Sequence, residues 1–330
     1  MKKVYKNEDC NINNILNKKI GVVGYGIQGR AQALNLRDSG CDVVIGNIDD
    51  EYKKRANGDG FDVYDIGDVV KMCDVIMLLI PDESHKFIYE TYIESNISSG
   101  DLLVFAHGYS LRYNKIVIPE SIDVGLLAPR FPGKPIRNYY KNGRGVPAFV
   151  DVINDYSNTT LEKLLALGYA IGYSRAGIIP VSYKEETELD LFIEHFIGPL
   201  FIGAIENSLK FLVDKGYASI PTIMELYMSG ERGSMWTAYA RDGLYKALNN
   251  NASPTCKFGI ASHMDSTFNA ELYKQMERVV DNIQSGKFSE NLEIEESKGY
   301  EEVNKFFDKK KSAFISDVEY EVKELLEEYL

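Results

Sequence analysis

Short apolar runs recur through the first half of the chain and alternate with segments of helical periodicity. Most are rich in Val, Ile and Leu and end at Gly, Pro or Asn, which is typical of strands buried on both faces of a parallel sheet. The predicted strands are KKIGVVG (18–24), CDVVIGN (41–47), DVIMLLIP (74–81), DLLVFAHG (101–108), VGLLAP (124–129) and GVPAFVDV (145–152). The predicted helices among and after them are 28–38, 51–56, 66–72, 85–95 and TTLEKLLALGYAIG (159–172).

The strand pattern stops near residue 183, and from there the apolar positions follow helical spacing. Strands alternating with helices predict an α/β domain, here a Rossmann-type doubly wound parallel sheet over residues 1–182. We expect a C-terminal all-α domain over residues 183–330, and 330 residues suffice for two domains. The terminal segment has mixed charges and predicts a solvated helix. The predicted helices of this half are 184–213, 218–230, 232–249, 267–285 and 300–328.

The stretch after the first predicted strand has glycines at the spacing of a dinucleotide-binding turn. Gly24, Gly26 and Gly29 form G-x-G-x-x-G between a strand and a helix. Such glycines allow a tight turn and bring backbone amides at a helix N-terminus close to a pyrophosphate. The alternative is a glycine-rich turn without a ligand. The segment assigned to cofactor binding is Gly24, Tyr25, Gly26, Ile27, Gln28 and Gly29.

The end of the second predicted strand bears on which nicotinamide cofactor is bound. Asn47, Asp49 and Asp50 follow about twenty residues after the glycines, where an acidic side chain binds the adenosine ribose and a 2′-phosphate needs a cation. Because carboxylates repel a phosphate, the sequence predicts NAD(H) in preference to NADP(H). Lys53 and Arg55 are expected on the following helix, from which a longer reach to a phosphate stays open.

The stretch KEETELDLFIEHF (184–196) raises a different question, because it mixes five carboxylates with apolar residues. A solvated helix face explains the first three, Glu185, Glu186 and Glu188. The remaining two, Asp190 and Glu194, lie among residues predicted to be buried, which are Leu189, Leu191, Phe192, Ile193 and Phe196.

The spacing of Asp190 and Glu194 suggests what they do. At i and i+4 they share one helix face, where two like charges destabilise the helix unless a cation lies between them. Oxygen ligands favour Mg²⁺ or Mn²⁺ over zinc. The spacing alone leaves open that both carboxylates simply face solvent.

The composition of the chain excludes some classes of binding partner and indicates a cellular compartment. Hydrophobic residues make up 45% of the chain, enough for a sizeable core, and the net charge of −12 argues against nucleic acid or an anionic membrane. No apolar run approaches the ~20 residues of a membrane span, and we find no signal-peptide pattern. Four scattered cysteines without a C-x-x-C pair suit reduced thiols. We expect a cytoplasmic protein that acts on a small molecule.

Several longer motifs, taken together, resemble the short form of the ketol-acid reductoisomerase family. They occur in the family's order over nearly the whole chain, and the string K-E-E-T-E-x-D-L-F-x-E is the most specific. The resemblance implies isomerisation of a 2-aceto-2-hydroxy acid by alkyl migration, then reduction with a nicotinamide cofactor and Mg²⁺, in branched-chain amino-acid synthesis. The motifs are GYGIQGRAQALNLRDSG (24–40), PDE (81–83), FAHGYS (105–110), APRFPG (128–133), RAGIIPVSYKEETELDLFIEHF (175–196) and SPTCKFG (253–259).

The resemblance also implies roles for individual residues. Asp190 is expected to bridge two Mg²⁺ ions and Glu194 to bind the first. Glu225 corresponds to a ligand of the second metal that is typically supplied across the interface of a dimer sharing the helical domain. His107 corresponds to a histidine beside the nicotinamide and substrate, and Ser253 to a serine that binds the substrate carboxylate. Further cofactor contacts are expected at Pro81, Asp82 and Gly133, and no role is assigned to His85, His195 and His263.

Two residues depart from the family pattern at the expected site. Arg130 occupies the place of a lysine thought to contact metal-bound oxygens. Arginine keeps the charge, but it does not release a proton at ordinary pH. Ser229 occupies the place of a second glutamate one turn after Glu225, and Glu231 lies roughly 200° away around a helix, so it does not replace that ligand.

Three functions therefore remain open. The first is a working reductoisomerase with an altered metal site, with Arg130 retained as a catalytic residue. The second is a relative that reduces another small 2-keto or 2-hydroxy acid in a specialised pathway. The third is a non-catalytic dinucleotide-binding protein, against which the retained His107, Asp190, Glu194 and Glu225 argue.

Overall fold

The computed structural model describes residues 3–326, which divide into two compact units, Met1–Leu189 and Asp190–Leu330. The units meet within one helix, and the division predicted at 182/183 lies at the start of that helix.

The first unit is built on one eight-stranded sheet in the order β3-β2-β1-β4-β5-β6-β7-β8. Its strands are β1 (Lys19–Val23), β2 (Asp42–Gly46), β3 (Val63–Tyr64), β4 (Val75–Leu78), β5 (Leu102–Phe105), β6 (Asp123–Pro129), β7 (Ala148–Asn154) and β8 (Ile178–Pro180). Its helices are α1 (Asn13–Leu16), α2 (Ile27–Asp38), α3 (Glu51–Gly58), α4 (Ile66–Met72), α5 (Asp82–Ile88), α6 (Tyr109–Arg112), α7 (Gly133–Lys141) and α8 (Thr160–Ile171). A π-helical turn, Tyr89–Ile93, and two short 3₁₀ turns, Asn7–Asp9 and Tyr173–Arg175, complete it.

Apolar side chains on both faces explain why these strands form a central sheet. Every residue of β4, β5 and β6 is buried. One apolar cluster joins the sheet to α2, α7 and α8, and a second joins it to α4 and α5. A sheet covered on both sides needs continuous apolar strands, so the runs in the sequence correctly predicted the doubly wound fold.

The far edge of the sheet departs from the predicted all-parallel arrangement. The strands from β3 through β6 pair in parallel, but β7 is antiparallel to β6, with Leu127 opposite Val150. The pattern of apolar residues does not encode strand direction, which depends on the connection through α7. Two short strands, β3 and β8, and helix α7 were not predicted.

The sheet aligns the carboxyl ends of its parallel strands. Val23 of β1 is opposite Leu78 of β4, Leu78 is opposite Phe105 of β5, and Phe105 is opposite Leu126 of β6. The strand order reverses between β1 and β4, and ligands of open α/β sheets bind at the carboxyl ends beside such a reversal. The segments that follow β1, β4, β5 and β6 therefore form the candidate site.

The second unit is helical, as predicted. It starts within α9 (Tyr183–Phe192) and continues through a π-helical turn, Ile193–Ile197, into α10 (Gly198–Asp214). A second π-helical turn, Met224–Met228, follows α11 (Ser219–Ile223). The other helices are α12 (Glu231–Asp242), α13 (Leu244–Asn251), α14 (Pro254–Thr267), α15 (Ala270–Gln284), α16 (Lys287–Ser297), α17 (Glu301–Lys311) and α18 (Phe314–Leu325).

Glycines and short polar stretches divide this half more finely than predicted. The predicted helix 232–249 is interrupted at Gly243, and the predicted helix 300–328 is interrupted between α17 and α18, with residues 327–328 outside the described part. The prediction of a solvated terminal helix was wrong for α18. Its Val318 and Val322 are buried against Leu209 and Ile223, and these four residues form one small apolar cluster of the unit.

Much apolar surface of the second unit is exposed in the single chain. Leu189 and Ile193, predicted to be buried, are about half exposed, whereas Leu191 and Phe196 are buried as predicted. The helical segment Tyr183–Asp214 is long and apolar enough to cross a membrane by length and composition, with 11% of its apolar window buried. The segment is not an uninterrupted apolar run, because Glu206 and Lys210 lie within it, and one such helix is weak evidence for a membrane span.

Candidate active site

The glycine-rich turn has the geometry predicted for it. Gly24 has φ +93°, and a Cβ there would lie 2.7 Å from the Leu79 carbonyl oxygen, so its conformation and its space both require glycine. A Cβ on Gly29 would lie 1.9 Å from the Gly24 carbonyl oxygen, because α2 packs directly on the turn. A Cβ on Gly26, by contrast, would meet nothing within 4 Å. The space beside Gly26 is therefore available to a ligand.

Replacing Gly26 and Gly29 separately by alanine distinguishes ligand approach from packing. Gly29→Ala should lower the melting temperature by about 5 °C or more, because overpacking costs roughly 1–3 kcal/mol. Gly26→Ala should leave it unchanged but weaken NADH binding by about tenfold, because the methyl group takes space needed by a pyrophosphate. Thermal unfolding and calorimetric titration with NADH measure the two effects. Unchanged NADH affinity in Gly26→Ala would show that the cofactor does not approach this backbone.

The loop after β2 is organised by its polar side chains. The buried Asn47 accepts a hydrogen bond from the Tyr25 backbone N–H (3.1 Å) and donates one to Asp50 Oδ1 (2.8 Å). Asp50 caps α3 by accepting from the backbone N–H groups of Tyr52 and Lys53. The structure thus ties Asn47 to the glycine-rich turn, and it uses one oxygen of Asp50 for the helix cap.

Asp49 is the most accessible acid of this loop, with its side chain 91% exposed. Lys53 and Arg55 lie on α3, as predicted. The Lys53 Nζ is 4.0 Å from Asp49 Oδ1, and the Arg55 guanidinium lies over the Tyr52 ring. The loop therefore presents an exposed carboxylate, with the nearest lysine already facing it.

The Tyr25 side chain points away from the turn into the protein. It is fully buried, and its hydroxyl donates to Asp59 Oδ2 (2.9 Å), which also accepts from Arg30 Nε (2.6 Å). The hydrogen bond from Arg30 holds the pKa of Asp59 below its ordinary value. Burial and this carboxylate raise the pKa of Tyr25, so its hydroxyl stays protonated. Tyr25 thus anchors the turn to the end of α3, whereas Ile27 is exposed and Gln28 donates to the Phe131 carbonyl oxygen (3.0 Å).

Two other expected cofactor residues have clear structural roles. Gly133 begins α7 where a Cβ would lie 1.7 Å from the Ile27 carbonyl oxygen, so α7 packs closely on α2 there. Pro81 follows β4 and precedes Asp82, the first residue of α5. Asp82 directs a carboxylate oxygen at His107, with 2.8 Å between Oδ2 and Nδ1.

His107 follows β5 and is the centre of a polar cluster. Its side chain is 20% exposed, its Nδ1 faces Asp82, and its Nε2 is 3.9 Å from Glu186 Oε2. The next residue, Gly108, donates its backbone N–H to Glu186 Oε2 (3.0 Å). A Cβ on Gly108 would lie 2.5 Å from Thr187 Oγ1, so α9 packs against this turn.

Glu186 joins this cluster to Arg130. The Arg130 Nη2 donates to Glu186 Oε1 (2.7 Å), and the guanidinium lies over the Phe149 ring, 4.7 Å from its centroid. Glu186 is completely buried, so the prediction that it lies on a solvated face was wrong. The other two acids predicted on that face are more accessible than Glu186. Glu185 is exposed, and Glu188 is partly exposed and forms an ion pair with Arg112 (2.9 Å). The compensation for burying Glu186 comes from Gly108 and Arg130, both remote in sequence.

The candidate metal ligands are in the second unit, on segments that the sequence correctly predicted to be helical, although it did not predict their π-helical turns. Asp190 is half-buried near the end of α9, whereas Glu194 is exposed in the first π-helical turn and Glu225 is exposed in the second. Such π-helical turns are frequent at functional sites. In residues 3–326, no three His, Cys, Asp or Glu side chains are close enough together to hold a metal ion. One chain thus does not assemble the expected three-carboxylate set.

The remaining residues are placed more simply. Ser253 is exposed and caps α14, accepting from the Cys256 backbone N–H (3.2 Å). Ser229 is exposed and ends the second π-helical turn. His263 is exposed, and the His195 ring packs at a tilt against Phe288, with the ring centroids 4.2 Å apart, where burial lowers the pKa of the imidazole. His85, to which the sequence assigned no role, is buried beside the His107 cluster.

Comparison with known proteins gives concordant matches over nearly the whole chain. Residues 14–177 match the acetohydroxy acid isomeroreductase NADPH-binding domain, and residues 183–328 match the ketol-acid reductoisomerase C-terminal domain. A protein named ketol-acid reductoisomerase (NADP(+)) from Pyrobaculum calidifontis is 36% identical over 329 residues, covering 99% of each chain. One from Sulfurisphaera tokodaii is 38% identical over 308 residues, covering 91% of this chain and 90% of that one.

A solved structure extends the likeness to the fold. The NADH-preferring ketol-acid reductoisomerase from an uncultured archean has a TM-score of 0.93 at 29% identity, with 98% of this chain and 99% of that chain covered. A glycine-rich turn beside the strand reversal of a doubly wound sheet is a dinucleotide-binding arrangement, and the matched relatives place the chain among the oxidoreductases linked to a nicotinamide cofactor. The chain belongs to the ketol-acid reductoisomerase family. The predicted family and fold class are thereby confirmed.

Proposed function

We propose that the chain is a Mg²⁺-dependent ketol-acid reductoisomerase that prefers NADH and converts a 2-aceto-2-hydroxy acid by alkyl migration and hydride reduction. The observation that carries the proposal is the match of both family domains over residues 14–177 and 183–328, with His107, Arg130 and Glu186 brought together beside the dinucleotide turn. His107 and Arg130 then contact the substrate as catalytic residues. Gly26 and the neighbouring backbone of the turn approach the pyrophosphate.

The proposed metal ligands are Asp190, Glu194 and Glu225, with Ser253 on the substrate carboxylate. Carboxylates are the hard oxygen donors that Mg²⁺ prefers, so the donor chemistry fits this ion. A bound Mg²⁺ stabilises negative charge that develops on substrate oxygens. Residues 3–326 of one chain do not form a cluster of three such ligands, and in the proposed assembly a second copy that shares the helical unit supplies the missing ligand.

The test of the proposed function is turnover of 2-acetolactate with NADH, with and without Mg²⁺. Product formation at about 1 per second or faster, dependent on Mg²⁺, is the expected result. Arg130 motivates the alternative, a reductase of another small 2-keto acid, because its paired guanidinium does not exchange a proton as a lysine can. Simple 2-keto acids are therefore assayed in parallel. If they are reduced while 2-acetolactate is not converted, the alternative is correct.

The proposed preference for NADH rests on the exposed Asp49 carboxylate and on the NADH-preferring relative of known structure. The names of two similar proteins specify NADP(+), so a measured preference for NADH would distinguish this chain from them. Steady-state kinetics should give a higher kcat/KM for NADH than for NADPH. Asp49→Ser should narrow the difference, because it removes a charge that repels the 2′-phosphate. The same change at Asp62, an exposed acid of the first unit outside this loop, is the control. A higher kcat/KM for NADPH in the wild type would contradict the proposal.

A homodimer, or a larger assembly of the same chain, is the partner we propose. Large apolar surfaces that stay exposed on a single chain usually mark interaction sites. In the second unit the exposed large apolar side chains include Phe201, Ile202, Phe211, Trp236, Tyr245 and Phe258. A second copy that covers this surface also accounts for the apolar Tyr183–Asp214 segment without a membrane.

Light scattering after gel filtration should therefore give at least twice the chain mass of 37.2 kDa. Phe201, which packs edge-on against Trp236 on this surface, is the residue to change. Phe201→Asp should weaken association by about tenfold or more, because a charge would enter an apolar contact. Val117→Asp, at an exposed apolar residue of the first unit, is the matched control. A monomer that floats with phosphatidylcholine vesicles would instead identify the segment as membrane-bound.

A further inference from the structure

Asp82 and His107 form a pair whose geometry determines the state of the imidazole. The two residues follow adjacent parallel strands, β4 and β5, and the Asp82 Oδ2 is 2.8 Å from His107 Nδ1. An ionised carboxylate only accepts hydrogen bonds, so the proton on this side belongs to Nδ1. In neutral His107 the lone pair is then on Nε2, the nitrogen on the Glu186 side of the ring.

A second histidine, His85, links the segment that carries Asp82 to the segment that carries His107. His85 is 2% exposed, and its Nε2 lies 3.1 Å from the Ile80 carbonyl oxygen, so Nε2 carries the proton. Its Nδ1 then accepts from the Ser110 hydroxyl (2.9 Å). Ile80 belongs to the segment that leads into Asp82, and Ser110 lies three residues after His107. His85 thus fastens the segment carrying Asp82 to the helix that follows His107.

We propose that Asp82 is a positioning residue that fixes the Nδ1–H tautomer and the ring orientation of His107, which leaves the lone pair on Nε2, the nitrogen that faces Glu186. The sequence assigned Asp82 to the cofactor. The geometry assigns its carboxylate to His107 instead, in the manner of carboxylates that orient a catalytic histidine. The effect on turnover rests on the proposed function of the chain, whereas the tautomer does not.

The tautomer can be observed directly. The chain has four histidines, so protein labelled with ¹⁵N only at histidine gives a simple solid-state spectrum in which assembly size does not matter. His107→Gln identifies the His107 signals by their loss. The wild type should show Nδ1–H for His107, and Asp82→Ala should convert this signal wholly or largely to Nε2–H. Asp82→Asn, which keeps an acceptor oxygen, should be intermediate. Retention of pure Nδ1–H in Asp82→Ala would overturn the proposal.

Kinetics test the consequence for the reaction. Asp82→Ala should lower kcat for 2-acetolactate by about 100-fold, the lower end of general acid–base contributions, with the NADH dissociation constant changed by less than about threefold. Adding Asp82→Ala to His107→Gln should cost nothing more, because Asp82 acts only through His107. Glu83→Ala, at an exposed neighbour in the same helical turn, removes a like charge and should leave every value unchanged.

The outcomes separate this proposal from the proposed function. A loss of NADH affinity of about tenfold or more in Asp82→Ala, with kcat retained, would show that Asp82 binds the cofactor and would overturn the positioning role. Additive losses in the double variant would overturn it as well. If the wild type does not convert 2-acetolactate but the tautomer changes as expected, the proposed function fails and the positioning of His107 by Asp82 stands.

Discussion

Asp190→Asn should abolish conversion of 2-acetolactate while leaving NADH binding intact. Asp190 lies near the end of α9, and the proposed metal site needs its full negative charge. An asparagine keeps the shape but removes the charge, and a bound Mg²⁺ contributes several kcal/mol to stabilising the transition state. Since about 1.4 kcal/mol corresponds to a tenfold change in rate, we expect kcat to fall by about 1,000-fold or more. The glycine-rich turn is untouched, so the NADH dissociation constant should stay within about twofold.

The matched control is Asp214→Asn, which removes an exposed carboxylate from the other end of the same continuous helical segment. It should leave activity and Mg²⁺ dependence unchanged. Titration of Mg²⁺ by calorimetry gives a readout that does not depend on turnover, and binding should be lost only in Asp190→Asn. Loss of NADH binding in that variant would show that the carboxylate is structural and that the assignment to metal is wrong.

The sheet was predictable because a strand that is buried on both faces requires a continuous run of apolar residues. VIML of β4 and LLVF of β5 are entirely buried, and such runs flanked by turn residues are typical of a covered central strand. The short strands β3, with two residues, and β8, with three, are too short to leave a pattern. The direction of β7 depends on the path of the chain through α7, which its own residues do not encode.

Helix boundaries in the second unit were harder to predict because most helical positions there are not buried by the chain itself. The buried apolar cluster of four residues lies on α10, α11 and α18. Helix α14 carries Phe258, Ile260 and Met264 at positions that are 38–76% exposed, so burial within one chain does not define one apolar face of this helix. An assembly of several copies leaves this kind of pattern, because part of its core belongs to the interface.

Residues of the candidate site were predictable where the backbone conformation permits only one residue type. They were not predictable where the role of a side chain depends on a partner that is distant in the sequence. Gly24 and Gly29 are recognisable since no other residue fits their positions. Glu186 is not recognisable, because three acids within four positions all suit a solvated face. Only the folded sheet brings Gly108 and Arg130, from the ends of β5 and β6, against one of them.

Glu186→Gln should lower kcat by about 100-fold or more and reduce stability as well. The carboxylate accepts from the Gly108 N–H and from Arg130, and glutamine would turn an N–H₂ group towards one of these donors. Breaking a buried ion pair costs roughly 3–5 kcal/mol. Because the Arg130 side chain keeps 23% exposure, we expect about 2 kcal/mol, or roughly 5 °C in melting temperature. Glu185→Gln, at the adjacent exposed acid, should change neither quantity.

A double variant separates the structural effect of Glu186 from the catalytic one. Combining Glu186→Gln with Arg130→Met removes the unpaired charge, and replacing both partners of a buried pair is often close to neutral. The melting temperature should therefore return to within about 2 °C of the wild type. Activity should stay low, because the cation that the site presents to substrate oxygens is gone and His107 has lost the neighbour that fixes Gly108. Recovery of activity along with stability would mean that Glu186 and Arg130 only hold the fold. An unchanged melting temperature in Glu186→Gln alone would mean that this glutamate is already neutral in the native protein, because glutamine then copies its hydrogen bonds.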